Sequence, residues 1–303
     1  MSSFRIRTMP LSAYALYLLT TLIWGSTWLA IKFQLGAVDP LVSVIYRFAL
    51  ASVLLFAWCV LARARLRLSA REHAFIALQG SCLFGLNYWL VYWAEVYLTS
   101  GIVAVIFATM VFMNFFNAAL FLKRRLVPAV LAGALVGMLG VALLFWPEFG
   151  SLSLDDTALR GLLLALAATY VASLGSIVAT HNAAFGLKVI TLNAWGMFYG
   201  TALLALAALL TGVEFRLPAG LPYLGSLLYL SVFGSIVAFG AFLRLIVLIG
   251  PERAGHNAMM TPVVALLLST LFEGYRWTLP AAAGLALIVV GNALVLRRPA
   301  GAG

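Results

Sequence analysis

Charge is what this sequence has least of. Asp, Glu, Lys and Arg together make up 9% of its 303 residues, against roughly a quarter in an ordinary soluble domain. Hydrophobic residues make up 64%, and the mean hydropathy is +1.08. No soluble core absorbs that much apolar surface. A bilayer does, because a helix satisfies its own backbone inside hydrocarbon and lipid-facing side chains need no polar cover. Cysteine is just as scarce: Cys59 and Cys82 lie in separate apolar runs, with no metal-ligand spacing and no second pair to make a disulfide framework, and read as packing residues. The three histidines, His73, His181 and His256, are far apart. No metal cluster, paired acids or nucleophile-and-base set can be drawn from this inventory, and no nucleotide-binding loop of Walker type occurs. The expectation is a protein with no metal and no cofactor that is not an enzyme.

What is present is long apolar runs. A spanning helix takes about 20 residues, and breaks at charges, glycines and prolines mark off runs at 11–33, 40–62, 73–96, 101–122, 128–146, 159–181, 188–211, 221–247, 254–272 and 278–296. They predict an all-α membrane protein with ten transmembrane helices. The first run follows Arg5 and Arg7 but lacks a small-residue cleavage site, so it reads as a helix and not as a signal peptide.

A formal charge of +10 would suit nucleic acid if the cations shared an exposed face, but they fall mostly between the runs. With a cytoplasmic N-terminus, the inside segments carry Arg5, Arg7, Arg63, Arg65, Arg67, Arg71, Lys123, Arg124, Arg125, Lys188, Arg253, Arg297 and Arg298. The outside segments keep only Lys32, Arg160, Arg216 and Arg276. Such a bias orients helices during insertion. It predicts a multi-pass protein of a bacterial-type inner membrane with both termini cytoplasmic, whose partners are the lipid bilayer and not nucleic acid.

The second half overlies the first at a shift near 150 residues: Phe84-Gly85 meets Phe233-Gly234, Thr109-Met110 meets Thr261-Pro262, and Gly133 with Gly140 meets Gly284 with Gly291. Each unit, 11–146 and 159–296, holds an odd number of runs, so the second copy enters the membrane upside down. Two inverted five-helix repeats that exchange roles around a midplane site are a transporter signature.

The run Trp24-Gly25-Ser26-Thr27-Trp28-Leu29-Ala30-Ile31-Lys32, with Asp39-Pro40 and Arg47-Phe48 after it, resembles the opening of the drug/metabolite transporter superfamily, EamA type. Trp93-Ala94-Glu95 with Ser100-Gly101 is similar to the family's link between helices three and four, and Thr261-Pro262-Val263-Val264 to its ninth-helix motif. The resemblance covers essentially the whole chain. It implies export of amino acids, related metabolites or toxic compounds through a central cavity lined by helices three, four, eight and nine. Two departures touch the first repeat: Met110 stands where proline is common, and Lys123-Arg124-Arg125 replaces a Gly-Glu-Arg type of ending.

Within that frame the candidate substrate contacts are polar and aromatic side chains on helical stripes. Phe84, Tyr88 and Tyr92 recur along helix three, with Asn87 beside them and Glu95 one turn on. Helix four carries Phe107, Met110, Asn114 and Asn117, and its amides serve either helix pairing or substrate. Ser235, Phe239 and Phe242 make a stripe on helix eight; Asn257, Met260 and Thr261 gather early in helix nine, where Pro262 can kink the helix into a gate. Trp24 on helix one and Tyr170 on helix six are candidate cavity walls. Arg47, several residues inside helix two, either snorkels outward or serves function. Deep titratable groups are scarce. Glu95 and His256, both read as interfacial, are the candidates for proton coupling, and the shortage tilts the reading toward passive export. Gly133-x-x-x-Gly137 and Gly196-x-x-x-Gly200 allow close backbone approach, within one chain or between two, so monomer and homodimer both stand open. The aromatic lining predicts a preference for aromatic or large apolar amino acids. A nucleotide-sugar or lipid-carrier translocator is the alternative within transport, and a structural or sensory membrane protein the alternative outside it.

Overall fold

The computed structural model describes residues 11–98, 100–124, 127–144, 146, 156–272 and 277–296, and every regular element among them is helical. Arg5, Arg7, Arg125, Glu148, Asp155, Glu273, Arg276, Arg297 and Arg298 lie outside the described residues.

The helices are α1 (Leu11–Lys32), α2 (Pro40–Leu61), α3 (Ala70–Tyr97), α4 (in two pieces, Ser100–Ala108 and Met110–Leu122), α5 (Pro128–Leu144), α6 (Asp156–Asn182), α7 (Val189–Thr211), α8 (Leu221–Ile249), α9 (Asn257–Phe272) and α10 (Leu279–Leu296). Their ends follow local chemistry. Asp39 caps α2 by accepting the Leu41 N–H at 2.8 Å, with Pro40 in the first turn where its missing N–H is not needed. Ser69 and Glu72 form a reciprocal capping box at α3, and Arg65 pairs with Glu72 at 2.9 Å. Gly212 ends α7 at φ +69°, a conformation glycine adopts without strain.

By length and composition α1, α2, α3, α6, α7 and α8 cross a membrane; the remaining apolar helices, within 106–122, 130–144, 257–268 and 279–294, are shorter. The ninth run starts later than its apolar pattern suggests. A separate turn, Pro251–Ala254, precedes α9, and His256 sits at the corner between them.

Neither half packs on its own. Helix α1 lies against α8 and α9, and its counterpart α6 lies against α3 and α4; α2 packs on α7 and on the middle of α8, and α7 on α2 and α3. The α5–α10 contact is glycine on glycine. A Cβ on Gly140 would stand 2.6 Å from the Gly284 carbonyl oxygen, one on Gly284 2.5 Å from that of Gly140, and one on Gly291 2.6 Å from that of Gly133. The glycines that register the two repeats in the sequence therefore touch each other across the fold. Gly200 likewise packs on Gly80 and Gly85, so both small-residue motifs are used inside one chain.

The repeats also share their irregularities. Within α3 the backbone widens to a π-helical turn at Ser81–Leu86, and within α8 at Leu230–Val237, so that each turn contains the matched Phe-Gly pair. α4 breaks at Thr109, whose hydroxyl donates to the Ile106 carbonyl at 2.6 Å, and α9 carries Pro262 at the matched place.

Candidate functional site

The helices that carry these four irregular places wall one cavity of about 90 Å³, where one water needs roughly 10–15 Å³. Leu83, Asn87, Tyr88 and Val91 come to it from α3; Ala104, Phe107 and Met110 from α4; Phe239 and Phe242 from α8; and Gly255, Ala258, Thr261 and Pro262 from the start of α9. Pro262 has no N–H to offer the Ala258 carbonyl, so the ladder of α9 opens where both residues face the cavity. A fifth wall is α1, whose Trp24, Thr27, Trp28 and Ile31 share one face.

The walls are held by aromatic packing. Trp24 lies edge-on to Phe239 at 5.1 Å and tilted against Phe242 at 4.9 Å, and its indole N–H donates to the Gly234 carbonyl at 3.2 Å. Tyr88 sits edge-on to Phe48 at 4.9 Å. Against this apolar surface stand two unused polar atoms, the Trp28 Nε1–H and the Asn87 Oδ1, each buried with no hydrogen-bond partner. An orphan donor and an orphan acceptor in one cavity suit a ligand that carries both. Among the lining side chains of the described residues there is no acid, histidine or cysteine.

Of the residues singled out in the sequence, Trp24, Asn87, Tyr88, Phe107, Met110, Phe239, Phe242, Thr261 and Pro262 line this cavity. The others stand elsewhere. Phe84 is fully buried one layer behind, edge-on to Phe239 at 4.8 Å. Tyr92 is also fully buried, and its hydroxyl donates to Gln34 Oε1 at 3.2 Å. Asn114 donates to the Pro251 carbonyl at 3.1 Å, tethering α4 to the turn before α9. Asn257 braces α9 to α1, its Nδ2 within 2.7 Å of Thr20 Oγ1, 2.8 Å of Thr21 Oγ1 and 3.0 Å of the Tyr17 carbonyl oxygen. Tyr170 is not a cavity wall: it is 45% exposed on the outer face of α6, and that helix reaches the cavity only through Ala172. Glu95 is half-buried and outside the lining. His256 is fully buried, with neither ring nitrogen hydrogen-bonded. Arg47 does not snorkel. Its side chain is 1% exposed and donates through Nε to Ser235 Oγ at 2.9 Å.

The sequence reading passed over Trp28, Thr27 and Ile31. Their spacing from Trp24, at steps of three, one and three, marks one helical face; the signal was there, inside a run read as a close-packing motif.

A helical bundle with irregular backbone around an apolar cavity is an arrangement that a membrane transporter uses, and the sequence comparisons point to a transporter rather than an enzyme. The sequence matches the EamA-like transporter family over residues 11–146 and 159–297, and the chain belongs to that family. It is 32% identical over 293 residues to the uncharacterized inner membrane transporter YedA of Escherichia coli K12, covering 93% of this chain and 88% of that one. It is 25% identical over 282 residues to an uncharacterized transporter of Archaeoglobus fulgidus, covering 92% and 97%. A solved crystal structure at 22% identity superposes with a TM-score of 0.78 over 93% of this chain and 96% of the other, which shows a shared fold.

Proposed function

We propose that this chain exports small metabolites, foremost amino acids with aromatic or large apolar side chains, by alternating access around the central cavity. The carrying observation is the cavity's chemistry: aromatic and aliphatic walls with one unpartnered donor, Trp28 Nε1, and one unpartnered acceptor, Asn87 Oδ1. Ten membrane-crossing segments in two inverted repeats, with both termini cytoplasmic in an inner membrane, complete the reading. It is supported by the matched π-turns and by the matched break and proline, which give each half the same deformable helices. Residues 11–146 and 159–296 are then the two units that trade places.

Transport is passive in this reading, because the cavity walls offer no acid, histidine or cysteine among the described residues. Proton exchange is the second reading, favoured by the complete burial of His256 next to the lining residue Gly255. Purified protein in proteoliposomes, assayed for phenylalanine efflux with and without a pH gradient, tests both. Efflux above protein-free vesicles and indifferent to the gradient is the expected result. No efflux of any aromatic or large apolar amino acid refutes the substrate assignment, and gradient dependence lost in His256→Ala replaces the passive reading with the second.

A further inference from the structure

Arg47 is the one residue near the cavity whose chemistry the proposed function leaves unused. It lies seven residues into α2, about 10 Å along the helix from Pro40, which is roughly a third of the way through a 30 Å hydrocarbon core. A cation at that depth is costly unless paired. Yet no carboxylate lies within 4 Å of its guanidinium among the described residues. Nε is used by Ser235, while Nη1 is buried without a hydrogen-bond partner. The Tyr88 ring lies against the guanidinium, its centroid 4.7 Å from the central carbon, and Tyr88 also lines the cavity. Nη2 and the methyl of Thr27, another lining residue, crowd the same point, 3.1 and 3.0 Å from where a Cβ on Gly234 would stand. One phenol and one threonine therefore separate the cation from the cavity.

Repeat symmetry says that this residue is not needed for packing. The shift that lays Phe84 on Phe233 also lays Arg47 on Gly196. At the matched contact in the other half, Gly196 packs on the ring of Phe84 beside the π-turn of α3. One half closes this seam with a glycine, and the other puts an arginine there with a donor left over.

We infer that Arg47 is the anion subsite of the cavity and that it selects substrates bearing a carboxylate on an apolar body. This rests on the proposed central cavity, and it adds that the negative charge, more than the amine, is what the protein recognises. The carboxylate enters between Tyr88 and Thr27 and takes the Nη1 donor, giving the buried cation its counter-charge by a charge-assisted hydrogen bond. The apolar body stays against Trp24, Phe239 and Phe242.

The test uses purified full-length protein in detergent, with tryptophan fluorescence reporting occupancy because Trp24 and Trp28 line the cavity. The probes are 3-phenylpropionate and 3-phenylpropionamide, which differ in charge and carry no amine, together with phenylalanine. The acid should bind about tenfold or more tighter than the amide, and the ratio should fall toward one in Arg47→Gln. In Arg47→Lys, which keeps the charge but loses the fork held by Ser235, the ratio should drop part of the way. Equal binding of acid and amide by the unaltered protein, binding of neither, or an undiminished ratio in whichever variant melts like the parent overturns the inference. Failure of phenylalanine efflux together with Arg47-dependent binding of phenylpropionate would sink the amino-acid assignment and leave the carboxylate subsite standing.

Discussion

Replacing Gly284 by alanine puts the α5–α10 contact to the test. The added Cβ would stand 2.5 Å from the Gly140 carbonyl oxygen and 2.6 Å from the Leu144 backbone nitrogen. Both obstacles are backbone, so no rotamer change relieves them, and the helices must part by about 0.9 Å to reach the 3.4 Å of ordinary contact. Overpacking of this kind costs about 1–3 kcal/mol. Opposing it, alanine favours the helix over glycine by about 0.5–1 kcal/mol, so the net effect is destabilising by roughly 1–2 kcal/mol. Gly240 on α8 is the internal control, because a Cβ there meets nothing within 4 Å and only the propensity gain remains. Thermal unfolding of the two variants in the same detergent should therefore move in opposite directions, Gly284→Ala down and Gly240→Ala level or up. If Gly284→Ala melts no lower than Gly240→Ala, the glycine-on-glycine seam is wrong.

Asn257→Ala should lower stability by about 1 kcal/mol, within the range of interhelical hydrogen bonds in membranes, while substrate affinity at fixed fold stays level; a selective loss of affinity in a protein that melts normally would return Asn257 to the binding site. Trp28→Phe and Asn87→Ala each remove an orphan polar atom from the cavity, and each should raise the apparent KM for efflux several-fold, the equivalent of about 1 kcal/mol per hydrogen bond; Tyr170→Ala, on the outer face of α6, should leave KM alone, and the reverse pattern would refute the assignment of walls. Reporter fusions after Arg67, Arg125 and Arg298 should report cytoplasm and one near Asp155 the outside, a cytoplasmic signal at Asp155 being the outcome that inverts the proposed topology.

The bundle was legible because a bilayer imposes a simple rule: apolar runs long enough to cross, marked off by charges, glycines and prolines. The cavity was legible in part. Phe239, Phe242, Tyr88 and Met110 lie on helical stripes, and those stripes do converge. Asn114 and Asn257 show where a stripe stops being informative. An amide must be buried whether it faces a ligand or a neighbouring helix, and the periodicity is the same in both cases, so only the tertiary partners, the Pro251 carbonyl and the Thr20 and Thr21 hydroxyls, decide. Arg47 is the same problem with a charge: from seven residues inside a helix its side chain can reach either the surface or the protein interior, and it is Ser235 on α8 that holds it inward. Tyr170 went the other way: the shift that lays Phe84 on Phe233 lays Trp24 on Ser173, three residues along α6, and it is Ser173 that turns inward and accepts from Asn117 at 2.9 Å.

Four of the helices that wall the cavity, α3, α4, α8 and α9, share broken backbone regularity. In hydrocarbon a backbone group without its ladder partner is expensive, so irregular turns persist only where protein or a cavity surrounds them. Here the π-turns of α3 and α8, the break at Thr109 and Pro262 all fall on helices that wall the cavity, and each has its counterpart in the other half. Had these irregularities been accidents of packing, nothing would tie them to one site or pair them across the repeats. A helix with a widened turn or a missing bond bends at lower cost than a regular one, so in the alternating access proposed above two matched sets would let either half bend while the other stays closed. The glycine seam at α5–α10 has the opposite property, backbones too close to separate without losing contact along their length, so the proposed motion belongs to the helices around the cavity.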